Sequence, residues 1–182
     1  MSKSDKSVTR SIRISESALK AIEEESRRQN LSVNTIINKQ LLSCAESDRF
    51  FRRLGGMKFS SRTVQHFLEA GSNETIAKAG IETGRHTPHS IILAKYGKQT
   101  LDTVYGYLEM LSEYANQFEF SKVEQDDKII ITLLHRLGPK GSVFFENYMK
   151  ALFEQIDYVP KIDSKDDSIV IELLPKRDKK SD

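Results

Sequence analysis

The sequence predicts two modules of different architecture. The first is a strand followed by two helices, which forms an intertwined dimer, and the second is a C-terminal α+β domain with a small antiparallel sheet and several helices. Three observations lead to this prediction. Thr9, Ser11 and Arg13 alternate with Arg10, Ile12 and Ile14, which is polar–apolar alternation except at Arg10. Two helical patterns follow, separated by Asn30-Leu31-Ser32. From about residue 118 the apolar residues change from a helical period to alternation, which favours strands.

The alternating segment is predicted to be a short strand whose two faces differ in chemistry. Thr9, Ser11 and Arg13 belong to one face, and Ile12 and Ile14 belong to the other. A strand this short is unstable alone because its backbone donors and acceptors stay unpaired. We therefore expect it to pair with the same strand of a second chain, which places the isoleucines in a shared core. The polar face of such a ribbon has the size and chemistry to enter a DNA major groove.

Two capped helices are predicted after the strand. Ser15 is a suitable N-cap for a helix over 16–29, and Asn30 is a suitable left-handed stop. Ser32 caps a second helix with a stronger apolar stripe, and backbone N–H groups at such a helix start also bind phosphate. The stripe consists of Val33, Ile36, Ile37, Leu41 and Cys44.

This stretch, Val8–Cys44, resembles the ribbon-helix-helix family, whose best-known members are the Arc, Met and CopG-type repressors. The resemblance covers about the first quarter of the chain. It lies in the alternating strand, in Ser15-Glu16 at the first helix start and in Leu31-Ser32-Val33-Asn34 at the second. The resemblance implies that Thr9, Ser11 and Arg13 read base edges in duplex DNA. It also implies that the start of the second helix anchors phosphates through Ser32, Val33 and Asn34.

Two features depart from the family's pattern. The buried Arg–Glu–Arg triad of the Arc repressor corresponds here to Leu31, Ile36 and Gln40, so we expect a dimer core without those buried charges. Arg10 stands where the family often has an apolar residue, and we expect it at the frayed end of the ribbon. Arg10 and Lys6 are predicted to contact phosphates. The predicted dimer core consists of Ile12, Ile14, Ile22, Ile36, Ile37 and Leu41.

The charge of the chain is balanced overall but basic at its start. The net charge is +2, with 30% charged and 38% hydrophobic residues, which is typical of a globular protein. Lys3, Lys6, Arg10 and Arg13 stand against one acid, Asp5, and a dimer would double this basic cluster. A single cysteine excludes an intrachain disulfide. The start lacks the apolar stretch of a secretory signal, and no run reaches membrane-spanning length. We therefore expect a cytoplasmic, nucleoid-associated protein with no membrane partner.

Four segments are expected from these patterns: 1–46 for DNA binding and dimerisation, 47–56 as a junction, 57–174 as an α+β regulatory or assembly domain, and 175–182 as a charged tail. Gly55-Gly56 is the natural hinge. The strand Lys128–His135 is predicted to be buried on both faces. The other predicted elements are helices at Ser61–Ala70, Asn73–Thr83, Pro88–Lys95 and Thr100–Ala115, a turn at Gln125-Asp126-Asp127, a helix capped by Ser142, and a hairpin around Ser164–Asp167.

The residues suited to catalysis or metal binding do not form a recognisable set. The four histidines, His66, His86, His89 and His135, are scattered, and no cysteine follows Cys44, so neither a metal nor a cofactor is predicted. Ordinary surface and interface histidines are the expected account. No Ser–His–Asp or Cys–His arrangement is suggested, so no catalytic residue is predicted. A ligand pocket, where one exists, is expected between the helix after Ser142 and the sheet.

These observations predict a sequence-specific DNA-binding regulator, most simply a repressor, that inserts a two-stranded ribbon into the major groove of duplex DNA as a homodimer. The C-terminal domain is expected either to join dimers into a tetramer or to sense an unknown effector. Two alternatives stay open. One is an antitoxin-like protein that represses its own promoter while the remainder masks a toxin, and the other is a non-specific nucleoid-organising protein.

Overall fold

A computed structural model of the chain describes residues 8–125 and 128–175. The chain divides into two compact units, Met1–Ser43 and Cys44–Asp182. Lys6, the turn residues Asp126-Asp127 and the tail 176–182 lie outside the described residues, so what the sequence predicts for them stays a prediction.

The first unit contains two helices, α1 at Glu16–Gln29 and α2 at Val33–Ser43. The Ser15 hydroxyl accepts the Ala18 N–H at 3.3 Å and caps α1. Asn30 ends α1 in the left-handed conformation, with φ at 54°. The Ser32 hydroxyl accepts the Thr35 N–H at 3.1 Å at the start of α2. Both helices and their three capping residues are therefore as the sequence predicts.

Residues 8–15 have no regular secondary structure, and the first helix begins at Glu16. The predicted strand, and with it the ribbon-helix-helix arrangement, is therefore not confirmed. The physical reason is that such a strand is stable only when it pairs with a second strand, and the predicted partner belongs to another chain.

The second unit is built from short helices, a long central helix and a four-stranded sheet. It begins with a π-helical segment, Cys44–Asp48, in which the Cys44 thiol is exposed and not part of the α2 stripe. The remaining elements are α3 Arg49–Arg53, α4 Ser61–Ala70, α5 Asn73–Tyr96, α6 Leu101–Glu113, β1 Glu119–Gln125, β2 Lys128–Leu134, α7 Gly138–Glu154, β3 Tyr158–Ser164 and β4 Ser168–Pro175.

The sheet is antiparallel, with the strand order β1-β2-β4-β3. Two hairpins, β1–β2 and β3–β4, lie side by side, and β2 pairs with β4 from Ile129↔Leu173 to Leu134↔Ser168. This is the small antiparallel sheet with several helices that the sequence predicts, so the α+β class of this unit is confirmed.

Strand β2 alternates in burial, and the prediction that it is buried on both faces is wrong. Ile131 and Leu133 have no measurable exposure, whereas Ile130 and Thr132 are half-buried and Leu134 is exposed. The buried pair shares its sheet face with Ile169, Ile171 and Leu173 of β4. Helix α6 packs on β1, and α7 packs on β3 and β4. The aliphatic run of β2 therefore has one face in the core and one face outside it.

Helix α5 is one continuous helix where the sequence predicts two helices separated at Gly84. Added Cβ atoms at Gly80 and Gly84 would overlap the backbone of Phe144 and Tyr148 on α7. These two glycines lie four residues apart on one side of α5, so they allow the two helix backbones to approach closely. Gly84 thus serves helix packing in the interior of α5, and Pro88 lies buried inside the same helix.

Helix α7 begins at Gly138, before the predicted cap Ser142. Pro139 occupies the first turn, where its missing N–H costs nothing because that group has no intrahelical acceptor. Ser142 is instead a buried residue inside the helix, and its hydroxyl forms hydrogen bonds with residues outside α7.

Candidate nucleic-acid interface

The segment before α1 carries the three residues predicted to read bases. Thr9, Ser11 and Arg13 are all exposed in the single chain. Ile12, which alternates with them, is 63% exposed, and Ile14 is half-buried. The polar side chains are therefore accessible to solvent, and most of the Ile12 side chain is also exposed and not packed in an apolar core.

The start of α2 carries the three residues predicted to hold phosphate. Ser32 and Asn34 are exposed, and Val33 is half-buried. The Ser32 hydroxyl takes the Thr35 N–H, while the N–H groups of Val33 and Asn34 precede the first intrahelical donor of an α-helix and have no acceptor within it. These two N–H groups point along the positive end of the helix dipole, which is the arrangement that attracts an anion.

The described segment before α1 is basic, whereas the described acids of the first unit all lie on α1. In the described part before α1, Arg10 and Arg13 are exposed and no acid is present. On α1, Glu25 accepts hydrogen bonds from Arg28 at 2.6 and 2.8 Å and from Gln29. The Arg28 guanidinium beside it lowers the pKa of the Glu25 carboxyl to about 2. The Glu25 carboxylate is therefore paired with side chains of its own helix.

The residues predicted to form the dimer core are incompletely covered in one chain. Among the described residues of the first unit, only Ile36 is buried. Ile22 and Ile37 are half-buried, and Leu41 is 60% exposed. Helices of 14 and 11 residues are marginal without tertiary packing. A single copy therefore leaves this set of apolar side chains only partly buried.

A buried histidine–serine pair in the second unit is the arrangement most similar to a catalytic site, and sequence reasoning missed it. His135 Nε2 lies 2.9 Å from the Ser142 hydroxyl, and both residues are buried. His135 Nδ1 accepts the Leu137 N–H at 3.3 Å, so the proton of the neutral imidazole lies on Nε2. A general base needs the reverse, with an unprotonated Nε2 facing the hydroxyl.

The hydroxyl of Ser142 has a structural partner as well. It donates to the backbone carbonyl of Lys165 and lies 3.3 Å from that of Asp166, in the turn between β3 and β4. The pair therefore joins the end of β2, the first turns of α7 and the β3–β4 turn. These contacts involve three separate segments, and no local pattern signals them. The sequence predicts ordinary surface and interface histidines, whereas His135 is buried within the second unit.

Two of the other histidines, His86 and His89, lie on α5 and contact different residues. His86 lies 3.7 Å from Glu82, one turn earlier on α5, and His89 Nδ1 lies 2.6 Å from the Gln99 side-chain oxygen. Within residues 8–125 and 128–175, no three side chains of the histidine, cysteine or acidic type are close enough together to hold a metal ion.

The interface between α7 and the sheet is closed. Met149, Leu152 and Phe153 have no measurable exposure there, so these side chains pack in the core and line no open pocket. An open groove of about 340 Å³ lies between α6 and β1. It is lined by Glu109, Ser112, Glu113, Phe120, Ser121 and Lys122.

The described helices include none that is both long enough and apolar enough to cross a membrane. The geometry that remains as a candidate site is the N-terminal one: an exposed polar segment, an anion-attracting helix start and an uncovered apolar stripe. In comparisons with known proteins, no family model, no curated protein and no solved structure matches the chain.

Proposed function

We propose that the protein is a dimeric, sequence-specific DNA-binding regulator of the ribbon-helix-helix type. The single observation that carries the proposal is the uncovered first unit. The two helices bury only Ile36 among the described residues, and both Leu41 of α2 and Ile12 of the segment before α1 are exposed. A second copy provides the missing core for these side chains, because identical surfaces related by a two-fold axis cover each other.

The same pairing accounts for the polar segment before α1. Residues 8–15 gain a partner strand in the dimer, and Ile12 and Ile14 then turn inward. Thr9, Ser11 and Arg13 occupy the alternate positions, which are exposed in the single chain, and so form the outer face of a two-stranded ribbon. Ribbons of this kind read base edges in the major groove. Each dimer has two-fold symmetry, so its operator is palindromic or repeated.

The first experiment is selection of bound sequences from a random duplex pool with the full chain, followed by binding titrations on the recovered site. Arg13→Ala should weaken binding to that site by about 1–3 kcal/mol and leave random DNA less affected, because base contacts carry the sequence information. Arg27→Ala, which removes an exposed arginine of α1, is the matched control. Equal losses for Arg13→Ala on selected and random duplexes would remove its role as a base reader.

A second pair of variants separates dimerisation from DNA contact. Ile12→Asp places a charge in the proposed shared core, so it should weaken self-association and abolish duplex binding. Thr9→Asp places the same charge on the proposed outer face, so it should abolish duplex binding and preserve self-association. Analytical ultracentrifugation and fluorescence anisotropy measure the two properties. Equal self-association of the two variants would contradict the inward orientation of Ile12.

In the proposed regulator, the second unit is the assembly or sensing domain. Its described part is folded around a packed core and a four-stranded sheet, whereas toxin-masking segments of antitoxins commonly fold only on binding. This difference favours a regulator with an assembly or sensing domain. Steep loss of binding with salt, without any recovered motif, would instead assign the protein to nucleoid organisation.

A further inference from the structure

The second unit carries an exposed aromatic surface on and before α4. Met57 is 76% exposed and Phe67 is 64% exposed, and both Leu54 and Phe59 are more than half exposed. Phe59 and Phe67 contact each other edge to face, with ring centroids 5.9 Å apart. Isolated exposed apolar residues are ordinary, but two exposed aromatic rings in contact, with further exposed apolar residues close by in the chain, are typical of a binding surface. We name this group, Leu54, Met57, Phe59 and Phe67, the α4 surface.

Helix α4 is held in the second unit by its opposite side. Gln65 donates to the Arg136 carbonyl at 2.8 Å, and Lys140 donates to the carbonyls of Glu69 and Gly71 at 2.9 and 2.5 Å. Val64 and Leu68 are half-buried on this side. Helix α4 therefore packs against α7 through this side, and its outer face is exposed.

The charges on the outer face of α4 are arranged symmetrically about its midpoint. The helix runs from Ser61 to Ala70, so its midpoint falls between Gln65 and His66. Arg62 and Glu69 lie equally far from that midpoint and seven residues apart, which places them on one flank of the helix. About 10 Å of helix separates them, so they do not pair with each other. Neither side chain takes part in an ion pair among the described residues.

We infer that α4 docks antiparallel against α4 of a second copy of this chain. A two-fold axis through the midpoint brings Arg62 of each copy level with Glu69 of the other. On the opposite flank it brings the two Phe67 rings together, with Phe59 beside them. A surface of one charge sign would repel its own copy, whereas this surface offers each copy an acid for its base. The occupant that fits both flanks at once is the same surface, as in an isologous interface.

The proposed contact between two α4 helices does not depend on DNA binding. A tetramer made of two such pairings rests on the proposed N-terminal dimer, whereas the α4 contact itself concerns the second unit only. Cross-linking between two α4 helices measures this contact directly, and it can be measured independently of duplex binding.

The experiment is cysteine cross-linking of the full chain in a Cys44→Ser background, since the Cys44 thiol is exposed. His66→Cys places a thiol beside the proposed axis, where two copies come within disulfide reach. Lys78→Cys, at an exposed position of α5, is the control. Under mild oxidation the His66→Cys protein should form covalent dimers, and the Lys78→Cys protein should form about tenfold fewer or none.

A second test changes the charges of Arg62 and Glu69 in the His66→Cys protein. Adding Arg62→Glu should reduce cross-linking at position 66 by about tenfold, because each copy then presents acid to acid. Adding Glu69→Arg to that variant should restore it, which a general loss of structure would not do. Equal cross-linking at positions 66 and 78, or no recovery in the charge-swapped protein, overturns the inference. Loss of duplex binding with cross-linking intact would instead count against the proposed function alone.

Discussion

The side-chain amide of Gln155 donates a hydrogen bond to the backbone carbonyl of Gly84 at 3.1 Å. In an uninterrupted α-helix that carbonyl accepts the N–H of the residue four positions later. Here that residue is Pro88, which has no N–H. Gln155, just after α7, therefore supplies the donor that α5 lacks. This contact explains how α5 continues through a proline as one helix from Asn73 to Tyr96.

Replacing Gln155 by alanine should therefore lower the free energy of unfolding by about 1 kcal/mol, because the buried Gly84 carbonyl loses its donor. In a Pro88→Ala background the restored N–H at position 88 reaches the same carbonyl, so the cost of Gln155→Ala should fall towards zero. Urea denaturation of the four proteins measures the coupling. The same cost in both backgrounds would show that Gln155 acts in another way.

The glycines of α5 give a second prediction. Gly84→Ala should destabilise the protein by about 1–3 kcal/mol, because the added methyl group meets α7 backbone that cannot move aside. In a helix without this contact the same change is stabilising by about 1 kcal/mol. Gly106→Ala on α6 is the control, since its new methyl group would meet only the hydroxyl end of the Tyr96 side chain. Similar effects at both positions would argue against close packing of α5 on α7.

Stability should depend on pH through His135. Burial lowers the pKa of its imidazole below the ordinary value of 6.5, and the Asp167 carboxylate opposes this less strongly. The unfolded chain therefore binds more protons at this residue between the lowered pKa and 6.5. The contribution is fully present above about pH 7 and declines as the pH falls below 6.5.

Denaturant midpoints of the wild-type chain and of His135→Asn, taken from about pH 7.5 down to about pH 5.5, measure this effect. The variant should be less stable throughout, because Ser142 loses a hydrogen-bond donor. Its midpoint should also change less with pH than that of the wild type. This range lies above the usual titration of carboxyl groups. Parallel pH profiles for the two proteins would show that His135 does not titrate as described.

The buried tyrosine pair of the core allows a further prediction. The hydroxyl groups of Tyr107 and Tyr148 lie 2.6 Å apart, and burial raises the pKa of both phenols. Tyr107→Phe or Tyr148→Phe should each cost about 1–2 kcal/mol of unfolding free energy, because each leaves one buried hydroxyl unpaired. The double variant has no unpaired hydroxyl, so it should cost less than the sum of the single changes. Additive losses would mean that each hydroxyl has another partner.

Local chemistry was sufficient to predict some elements and insufficient for others. Ser15 and Asn30 delimit α1, and Thr100 caps α6 through a reciprocal contact with Thr103, because caps involve residues within one turn. The sequence predicts a helix end at Gly84, since glycine locally favours a break. Its actual role depends on the backbone of Tyr148, far along the chain, and no nearby residue signals that contact.

The candidate site shows the same limit. The polar positions Thr9, Ser11 and Arg13 and the cap Ser32 follow from the order of residues in one segment, and the structure leaves all four exposed. The strand that would present them depends on a second chain, so a single chain lacks the hydrogen-bond partners that it needs. The closed interface beneath α7 was equally beyond prediction, because it depends on how side chains from several elements interlock.

The strand order β1-β2-β4-β3 has a consequence for the kinetics of folding. Each hairpin closes over a short stretch of chain, whereas the pairing of β2 with β4 joins strands separated by the whole of α7. Closing that longer loop costs chain entropy before any contact compensates for it. We expect the rate-limiting barrier at the docking of the two hairpins under α7. Substitutions at Ile131 or Ile171, which face each other across that seam, should then slow folding, and substitutions on the edge strand β1 should mainly accelerate unfolding.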